Sequence, residues 1–205
     1  MPNDHPSPGA RQGFTEPWRE RLPMPAADAM TAAQGEAADA LIAGPRKGVY
    51  GPFLPLLRSP QLLDRVARLG EYLRFDSVLE ARVRELATCV AARHVTNQFE
   101  WQMHAPLAVK AGVAQAAIDA LGVGARPKGL APDEEAALDF AVELLQTHGV
   151  SEPTYASAAA AFGEQGVVEL ATLVGYFVMV SWLMNVAHTP GQANAPVPPL
   201  QAFPL

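Results

Sequence analysis

The chain has 205 residues, of which 49% are hydrophobic, and its formal net charge is −6 with 15 basic residues. This composition excludes a disordered chain, and the length fits one well-buried domain better than two. The basic residues form no run, so we expect no binding to nucleic acid or to an anionic membrane surface. A single cysteine excludes an internal disulfide, and the first residues lack the pattern of a secretory signal, so the expected location is the cytoplasm.

Residues 1 to 25 contain repeated prolines without a sustained apolar period, which predicts an extended or partly disordered N-terminal arm. Phe14 and Trp18 are candidates to anchor this arm on another subunit, although loosely exposed aromatic side chains are equally consistent with the pattern. A helix rich in alanine is predicted over residues 26 to 43, and a loop of glycine and proline follows over residues 46 to 53.

A third helical segment is predicted to begin at Ser59 and Pro60, because proline is favoured in the first turn of a helix. Four apolar residues at helical spacing predict its buried face: Leu62, Val66, Leu69 and Leu73.

The next helix is predicted to begin with a capping box formed by Ser77 and Glu80. Its apolar residues recur at the 4-3-4 spacing of an amphipathic helix, at Leu79, Val83, Leu86 and Val90. Glu85 therefore lies within a mostly buried helix.

A further helix begins at Asn97, a favourable N-cap residue, and ends at Gly112, a plausible left-handed C-terminal residue. The chain therefore turns between residues 94 and 97. Glu100 and His104 are four residues apart on this helix, so their side chains lie on the same face within hydrogen-bonding range. A carboxylate paired with an imidazole in this way is suited to proton transfer.

Residues 113 to 121 and 132 to 149 predict two more helices, and residues 151 to 162 predict a short helix ended by Gly163. Residues 189 to 205 are rich in proline and predict an extended C-terminal tail. The domain organisation expected is an arm over residues 1 to 25, one helical domain over residues 26 to 188, and this tail.

The last predicted helix, over residues 167 to 188, includes eighteen uncharged residues and is long enough to suggest a membrane span. We favour a helix buried on all sides in a bundle or an oligomer, because no Lys or Arg flanks the segment. Polar residues also lie within or beside it: Glu169, Thr172, Ser181 and Asn185.

The residues alone leave alternatives for the Glu100 and His104 pair. Glu100 can simply complete the helix cap begun by Asn97, and His104 can be a hydrogen-bonded core histidine. A metal site that includes His94 fits no standard zinc spacing, so we expect no metal. Cys89 has the setting of a small core residue rather than of a reactive thiol.

Three arginines near this pair are candidates to hold a substrate carboxylate: Arg82, Arg84 and Arg93. Arg84 is expected to pair with Glu80 on the helix surface instead. Arg93 is therefore the favoured candidate.

Glu85 together with the segment Asn97-Gln98-Phe99-Glu100-Trp101-Gln102-Met103-His104 resembles the core motif of the carboxymuconolactone decarboxylase and alkylhydroperoxidase D superfamily. In the peroxidase branch a Cys-x-x-Cys pair precedes the histidine, and here those two positions are Asn97 and Glu100. A glutamate four residues before the histidine and another nineteen before it are similar to the decarboxylase branch, although that branch tends to be shorter and to have a basic residue where Asn97 stands.

The resemblance implies an all-α, alkylhydroperoxidase D-like helical bundle with a central helix pair, assembled as a homo-oligomer of two to six chains. It implies Glu85, Glu100 and His104 as catalytic residues. The candidate substrate-binding residues are Arg93, Asn97, Trp101, Tyr50 and Phe53, the last two as pocket walls or, alternatively, as buried aromatics of a turn.

The function that the resemblance implies is cofactor-free decarboxylation, or a related proton transfer, on a small carboxylated lactone or an intermediate of aromatic degradation. A peroxidase of the alkylhydroperoxidase type and a non-catalytic oligomer that binds a small ligand are the alternatives. Saturable turnover of lactone acids would separate the first function from the last.

Overall fold

The computed structural model describes residues 19–201, and this part of the chain contains eight α-helices and no β-strand. In chain order the helices are α1 Ala32–Ala43, α2 Phe53–Leu56, α3 Pro60–Glu71, α4 Ala81–His94, α5 Gln98–Ala111, α6 Gln115–Gly122, α7 Pro132–Thr147 and α8 Glu152–Ala187. The predicted all-α architecture is therefore confirmed. Phe14 and Trp18 lie outside the described residues.

Helix α1 begins later than the sequence predicted. Residues Ala27–Ala29 form a separate 3-10 turn, and α1 starts after Thr31, whose hydroxyl accepts a hydrogen bond from the Gln34 backbone N–H in a capping box. The short helix α2 begins at Phe53, the last residue of the predicted loop, so the chain reaches α3 through a helical turn that the sequence did not predict.

Helix α3 begins at Pro60 as predicted, but its buried face is displaced from the predicted one. The buried residues are Leu63, Val66, Ala67 and Gly70, whereas Leu62 and Leu69 are 49% and 40% exposed. Gly70 explains the orientation, because a Cβ atom at this position would lie 2.2 Å from the hydroxyl oxygen of Tyr176 on α8. The Tyr176 side chain therefore packs on α3 at a residue that has no side chain of its own.

Helices α4 and α5 form the central antiparallel hairpin, with the predicted turn between His94 and Gln98. Asn97 caps α5 as predicted, since its Oδ1 atom accepts a 2.9 Å hydrogen bond from the Glu100 N–H. Gly112 ends α5 with a φ of 112°, which confirms the predicted left-handed residue. The α4 helix packs on α5, α7 and α8 and so lies at the centre of the bundle.

The predicted capping box at the start of α4 is wrong. Helix α4 begins at Ala81, and the Ser77 hydroxyl instead donates a 2.6 Å hydrogen bond to Glu169 on α8. A π-helical turn at Tyr72–Asp76 connects α3 to this region. Ser77 therefore bonds to Glu169, which is distant in sequence, rather than forming a cap with Glu80.

The last helix, α8, is 36 residues long and carries a kink at Gly163, where φ is 70° and ψ is 174°. The predicted break at this glycine is confirmed in the backbone, although the helix resumes directly beyond it. Helix α8 is long and apolar enough to cross a membrane by length and composition, but 56% of its most apolar stretch is buried inside the protein, as in the core helix of a bundle. It is not buried on all sides, because one face remains exposed.

The C-terminal segment lies against the hairpin. The Gln98 side chain donates a 2.7 Å hydrogen bond to the Leu200 carbonyl and accepts a 2.8 Å bond from the Leu200 N–H. Leu200 itself is buried, so the proline-rich segment docks on the helical domain as far as the structure describes it.

Candidate functional site

The imidazole of His104 lies between two carboxylates. Its Nδ1 atom is 2.5 Å from Oε2 of Glu85 on α4, and its Nε2 atom is 3.2 Å from Oε2 of Glu100 on α5. The predicted convergence of these three side chains is therefore found in the structure. The His104 and Glu100 side chains are almost completely buried, and that of Glu85 is 15% exposed.

The helical hairpin produces this geometry. Glu100 and His104 face each other because they are one turn apart on α5. Glu85 reaches the opposite ring nitrogen because α4 runs antiparallel to α5 through the tight turn capped by Asn97. The Asn97 amide also donates hydrogen bonds to the Ser181 carbonyl and to the Asn185 side chain on α8, which fixes the start of α5 against the bundle.

The two carboxylates favour the charged form of the imidazole. Burial alone would lower the pKa of His104, but the charge of Glu85 and hydrogen bonds to both Glu100 and Glu85 raise the pKa to about 9. Burial likewise opposes the charge of Glu85, yet the imidazolium holds the pKa of Glu85 below its ordinary value. His104 is therefore protonated near neutral pH, with one N–H directed at each carboxylate.

Glu100 and His104 line a cavity of about 30 Å³, enough for one or two water molecules. Glu85 lies on the other side of the ring, at Nδ1. The predicted wall residues Tyr50 and Phe53 do line this cavity, and Phe177 packs the edge of its ring on His104 with ring centroids 4.8 Å apart. The other lining residues are Arg46, Pro52, Arg74, Phe99, Met103, Tyr176 and Val180.

Two arginines at this cavity were missed by the sequence reasoning. Arg46 donates hydrogen bonds to Glu71 and to the Ala67 carbonyl, and its guanidinium lies 4.5 Å from the centroid of the Phe53 ring. Arg74, on the π-helical turn, has a buried Nε atom without a hydrogen-bond partner among the described residues. No motif marks either residue, since Arg46 comes from the loop before α2 and Arg74 from the π-helical turn before α4.

The structure does not bring Arg93, Asn97 and Trp101 to the His104 cavity. Arg93 lines a different cavity of about 310 Å³ with His94 and Arg126, and one of its N–H groups donates to the Gln201 carbonyl. Trp101 lines a third cavity, beside the C-terminal segment. Asn97 is fully buried as the helix cap.

The other expectations for side chains on α4 can also be compared with the structure. Arg84 does not pair with Glu80 but donates to the Leu79 carbonyl, whereas Arg82 forms a bidentate pair with Asp133 on α7. Cys89 is completely buried, and burial raises the pKa of its thiol well above the ordinary value. Among residues 19–201 no cluster of three or more His, Cys, Asp or Glu side chains is arranged to hold a metal ion.

Known proteins are similar to this chain in sequence profile and in fold. The sequence profile of the Carboxymuconolactone decarboxylase family matches residues 60–143, which include α3, the α4–α5 hairpin and most of α7. This match supports the resemblance to the carboxymuconolactone decarboxylase and alkylhydroperoxidase D superfamily that was found in the sequence. No curated protein sequence matches the chain.

Solved structures share the fold at low sequence identity. An uncharacterized peroxidase-related protein from Silicibacter sp. TM1040 superimposes with a TM-score of 0.70 at 14% identity, over 89% of this chain and 97% of that one. An alkylhydroperoxidase AhpD core protein from Ralstonia eutropha JMP134 gives 0.68 at 18% identity, over 84% and 92%. A debrominase in complex with 2,3,4-tribromopyrrole gives 0.65 at 12% identity, over 86% and 93%.

Proposed function

We propose that this protein is an enzyme that protonates a carbanion at His104 after decarboxylation of a small organic acid, in the manner of a carboxymuconolactone decarboxylase. The observation that supports this proposal is the imidazole held between Glu85 and Glu100, which is charged near neutral pH and borders a cavity. A buried, positioned acid of this kind is what a carbanion intermediate needs.

The proton comes from Nε2, the ring nitrogen on the side of Glu100 and the cavity. Loss of CO₂ from the substrate leaves an electron pair on carbon, delocalised as a dienolate, and His104 donates its Nε2 proton to that carbon. Glu85 stays bonded to Nδ1–H and stabilises the imidazolium before the transfer. Water then returns a proton to the neutral ring, so the cycle consumes one proton and releases one CO₂.

Arg74 is the residue that we propose to hold the substrate carboxylate. It lines the cavity, and its positive charge acts on both Glu85 and Tyr176. Its buried Nε–H is available to an oxygen acceptor, whereas the Arg46 guanidinium already bonds to Glu71 and Ala67. A guanidinium orients a carboxylate by paired N–H bonds, which fits this role.

The cavity has to widen before it can take such a substrate, because small-molecule sites usually occupy about 300–1,000 Å³. In this wall Gly51, which has a φ of 57°, separates Tyr50 from Phe53, the first residue of the short helix α2. Movement of this wall is the simplest way to open the site from the 30 Å³ that it has here.

Peroxide reduction of the alkylhydroperoxidase type is the alternative enzyme class within the superfamily. That chemistry needs a thiolate that attacks the peroxide and usually a second thiol that resolves the sulfenic acid. The chain contains one cysteine, which is completely buried and has a raised pKa. These facts favour the proton-transfer reaction.

The experiment that tests the proposal measures CO₂ release from a panel of carboxylated lactones. We expect His104→Ala to lower turnover by about 10²–10⁴, the usual effect of losing a general acid or base. Cys89→Ala should stay within a few-fold of the wild-type rate. His94→Ala is the matched control, since this exposed histidine lies outside the cavity.

Two results would contradict the proposal. One is a thiol-dependent peroxidase activity that Cys89→Ala abolishes and His104→Ala leaves unchanged. The other is saturable binding of lactone acids without turnover, which would identify a binding protein rather than an enzyme.

The same assay distinguishes Arg74 from Arg93. Arg74→Met keeps the length of the side chain and removes its charge, so we expect KM for the lactone acid to rise at least tenfold, since hydrogen bonds to charged groups contribute about 1.5–3 kcal/mol. Arg93→Met should leave KM unchanged, because Arg93 lines another cavity. The reverse pattern would restore Arg93 as the carboxylate ligand and remove Arg74 from the site.

A further inference from the structure

Arg46 places a buried positive charge at the His104 cavity. Its side chain is only 4% exposed, although the residue belongs to the irregular segment between α1 and α2. A guanidinium keeps its charge in a protein, so its burial has to be compensated by hydrogen-bond acceptors. The acceptors that hold Arg46 therefore decide where this segment lies.

Two acceptors on α3 hold the guanidinium. The Nη1 atom donates a 2.7 Å hydrogen bond to Oε1 of Glu71, and the Nη2 atom donates a 3.1 Å bond to the Ala67 carbonyl. The carbonyl is fixed in the helix, whereas the Glu71 side chain is 35% exposed. Of the two acceptors, Glu71 is therefore the one that can turn toward water and release the guanidinium.

Arg46 also holds the aromatic wall of the cavity, which consists of Tyr50 and Phe53. The guanidinium carbon lies 4.5 Å from the centroid of the Phe53 ring, and the Arg46 carbonyl accepts a 3.0 Å hydrogen bond from the Tyr50 hydroxyl. The Tyr50 ring in turn stacks on Phe99, with ring centroids 6.3 Å apart. The bond between Arg46 and Glu71 thus connects the aromatic wall to α3.

A carboxylate that enters the cavity competes with Glu71 for this guanidinium. Arg46 lines the cavity together with Arg74, and the positive charge of each acts on the Tyr176 hydroxyl. An anion beside that hydroxyl is therefore close to both arginines. Exchange of one carboxylate for another keeps the buried guanidinium paired, whereas simple loss of Glu71 would leave it without a counter-charge.

We propose that Glu71 is a positioning residue that keeps the site closed: it holds Arg46, and through it the aromatic wall, until the carboxylate of an entering substrate replaces it on the guanidinium. This role rests on the function proposed above, because it assumes that the substrate of the His104 site is an anion. It goes beyond that function, because a neutral molecule of the same shape does not release the wall. The cavity of about 30 Å³ is then the closed state of the site.

The first test measures hydrogen exchange by mass spectrometry on peptides that cover residues 44–53, in the full chain without substrate. We expect Glu71→Gln to speed exchange of this segment about three- to tenfold, between the effects of losing an exposed and a buried charged hydrogen bond. Asp64→Asn is the matched control, because Asp64 forms an exposed ion pair with Arg68 on the same helix and lies outside the cavity. It should leave the exchange of residues 44–53 unchanged.

The second test determines whether an anion releases the wall. Benzoate at millimolar concentration is the probe, and benzamide, which has nearly the same shape without the charge, is its control. We expect benzoate to speed exchange of residues 44–53 in the wild-type chain and benzamide to leave it unchanged. Benzoate should add little in Glu71→Gln, because the wall is already released, and Arg46→Met should abolish the response because it removes the guanidinium.

The turnover assay distinguishes a displaced partner from a structural support. Glu71→Gln should lower KM for the lactone acid severalfold and leave kcat unchanged, because the substrate no longer competes with Glu71. Loss of a merely structural contact would instead raise KM or lower kcat. Unchanged circular dichroism of the variants verifies that the fold persists.

Three results would each overturn this role of Glu71. These are exchange of residues 44–53 that stays at the wild-type rate in Glu71→Gln, equal responses to benzoate and benzamide, and a rise in KM on Glu71→Gln. Failure of the proposed function is recognised separately. A chain that decarboxylates no lactone acid but responds to benzoate and not to benzamide has the anion-released wall without that activity, whereas decarboxylation with an unresponsive wall retains the function and removes the role of Glu71.

Discussion

At the residue scale, the chemistry depends on one buried imidazole that contacts two carboxylates through its two nitrogens. Each carboxylate stabilises the charged ring in a setting where burial alone would favour the neutral one. The pair of acceptors also fixes the ring orientation, because both N–H groups have defined partners. The protein thereby holds a proton donor that is charged, oriented and adjacent to a cavity.

The pH dependence of kcat/KM follows from this arrangement. A general acid works only while it is protonated, so we expect kcat/KM to fall as the pH rises through about 9, the pKa of His104 in the free protein. Glu100→Gln keeps a hydrogen-bond acceptor at Nε2 but removes a negative charge. The falling limb should therefore move to lower pH, and titration of the ring nitrogens by NMR should show the same shift without substrate.

A different outcome would assign a different role to His104. If kcat/KM rose with pH through the same range, the neutral imidazole would be acting as a base. If Glu100→Gln changed neither the pH at which kcat/KM falls nor the pH at which the ring titrates by NMR, Glu100 would have no electrostatic effect on the ring.

The site residues that could be predicted from the sequence are those that lie close together along the chain or match a known motif. Glu100 and His104 are one helical turn apart, and the resemblance added Glu85 across the hairpin. Arg93 was expected at the site because it lies on α4, but eight residues at 1.5 Å each place it about 12 Å further along the helix than Glu85. Arg46 and Arg74 reach the cavity only through the packing of other segments, which no local pattern reveals.

At the element scale, helix ends were predicted where a local partner decides them. Asn97 caps α5 through the Glu100 N–H, and Gly112 and Gly163 adopt positive φ values that glycine accepts readily. The predicted start of α4 was wrong because a residue distant in sequence bonds to the predicted cap. Ser77 bonds to Glu169, which lies 92 residues later, so α4 begins at Ala81 instead.

The orientation of α3 illustrates the same limit. A helical pattern of leucines predicts a helix. The element that packs against the helix decides which of its faces is buried. The Tyr176 side chain packs on α3 at Gly70, on the side of the helix where Leu63 is buried, whereas Leu69 is exposed. That exposed leucine lines a groove between α3 and α8.

At the scale of the whole molecule, Glu169 connects the last helix to the segment that precedes α4. Its two oxygens accept four hydrogen bonds of 2.6 to 2.9 Å, all from neutral donors: the Tyr72 hydroxyl, the Ser77 hydroxyl, the Val78 N–H and the Gln165 amide. Burial opposes the charge, but these bonds outweigh it and lower the pKa of Glu169 to about 2. The carboxylate thus holds the turn that carries Arg74 against the helix that carries Phe177.

The contribution of this carboxylate to stability is testable by mutation and pH. Glu169→Gln turns two of its acceptor positions into donors, so we expect a loss of about 2–3 kcal/mol near neutral pH, the scale of a hydrogen bond to a charged group. For a domain of this size that corresponds to a fall in Tm of roughly 4–12 °C. Glu164→Gln, five residues earlier on α8 and exposed, is the matched control and should change Tm little.

The sign of the pH effect distinguishes this role from simple packing. A carboxylate whose pKa is about 2 in the folded state and 4.5 ordinarily stabilises the fold above pH 4.5 and loses that contribution as the pH falls toward 2. The difference in Tm between the wild-type protein and Glu169→Gln, measured by thermal unfolding at decreasing pH, should therefore narrow below pH 4.5. A difference that stayed constant over that interval would mean that the side chain acts through its shape alone, and the proposed connection between α8 and the turn before α4 would not depend on charge.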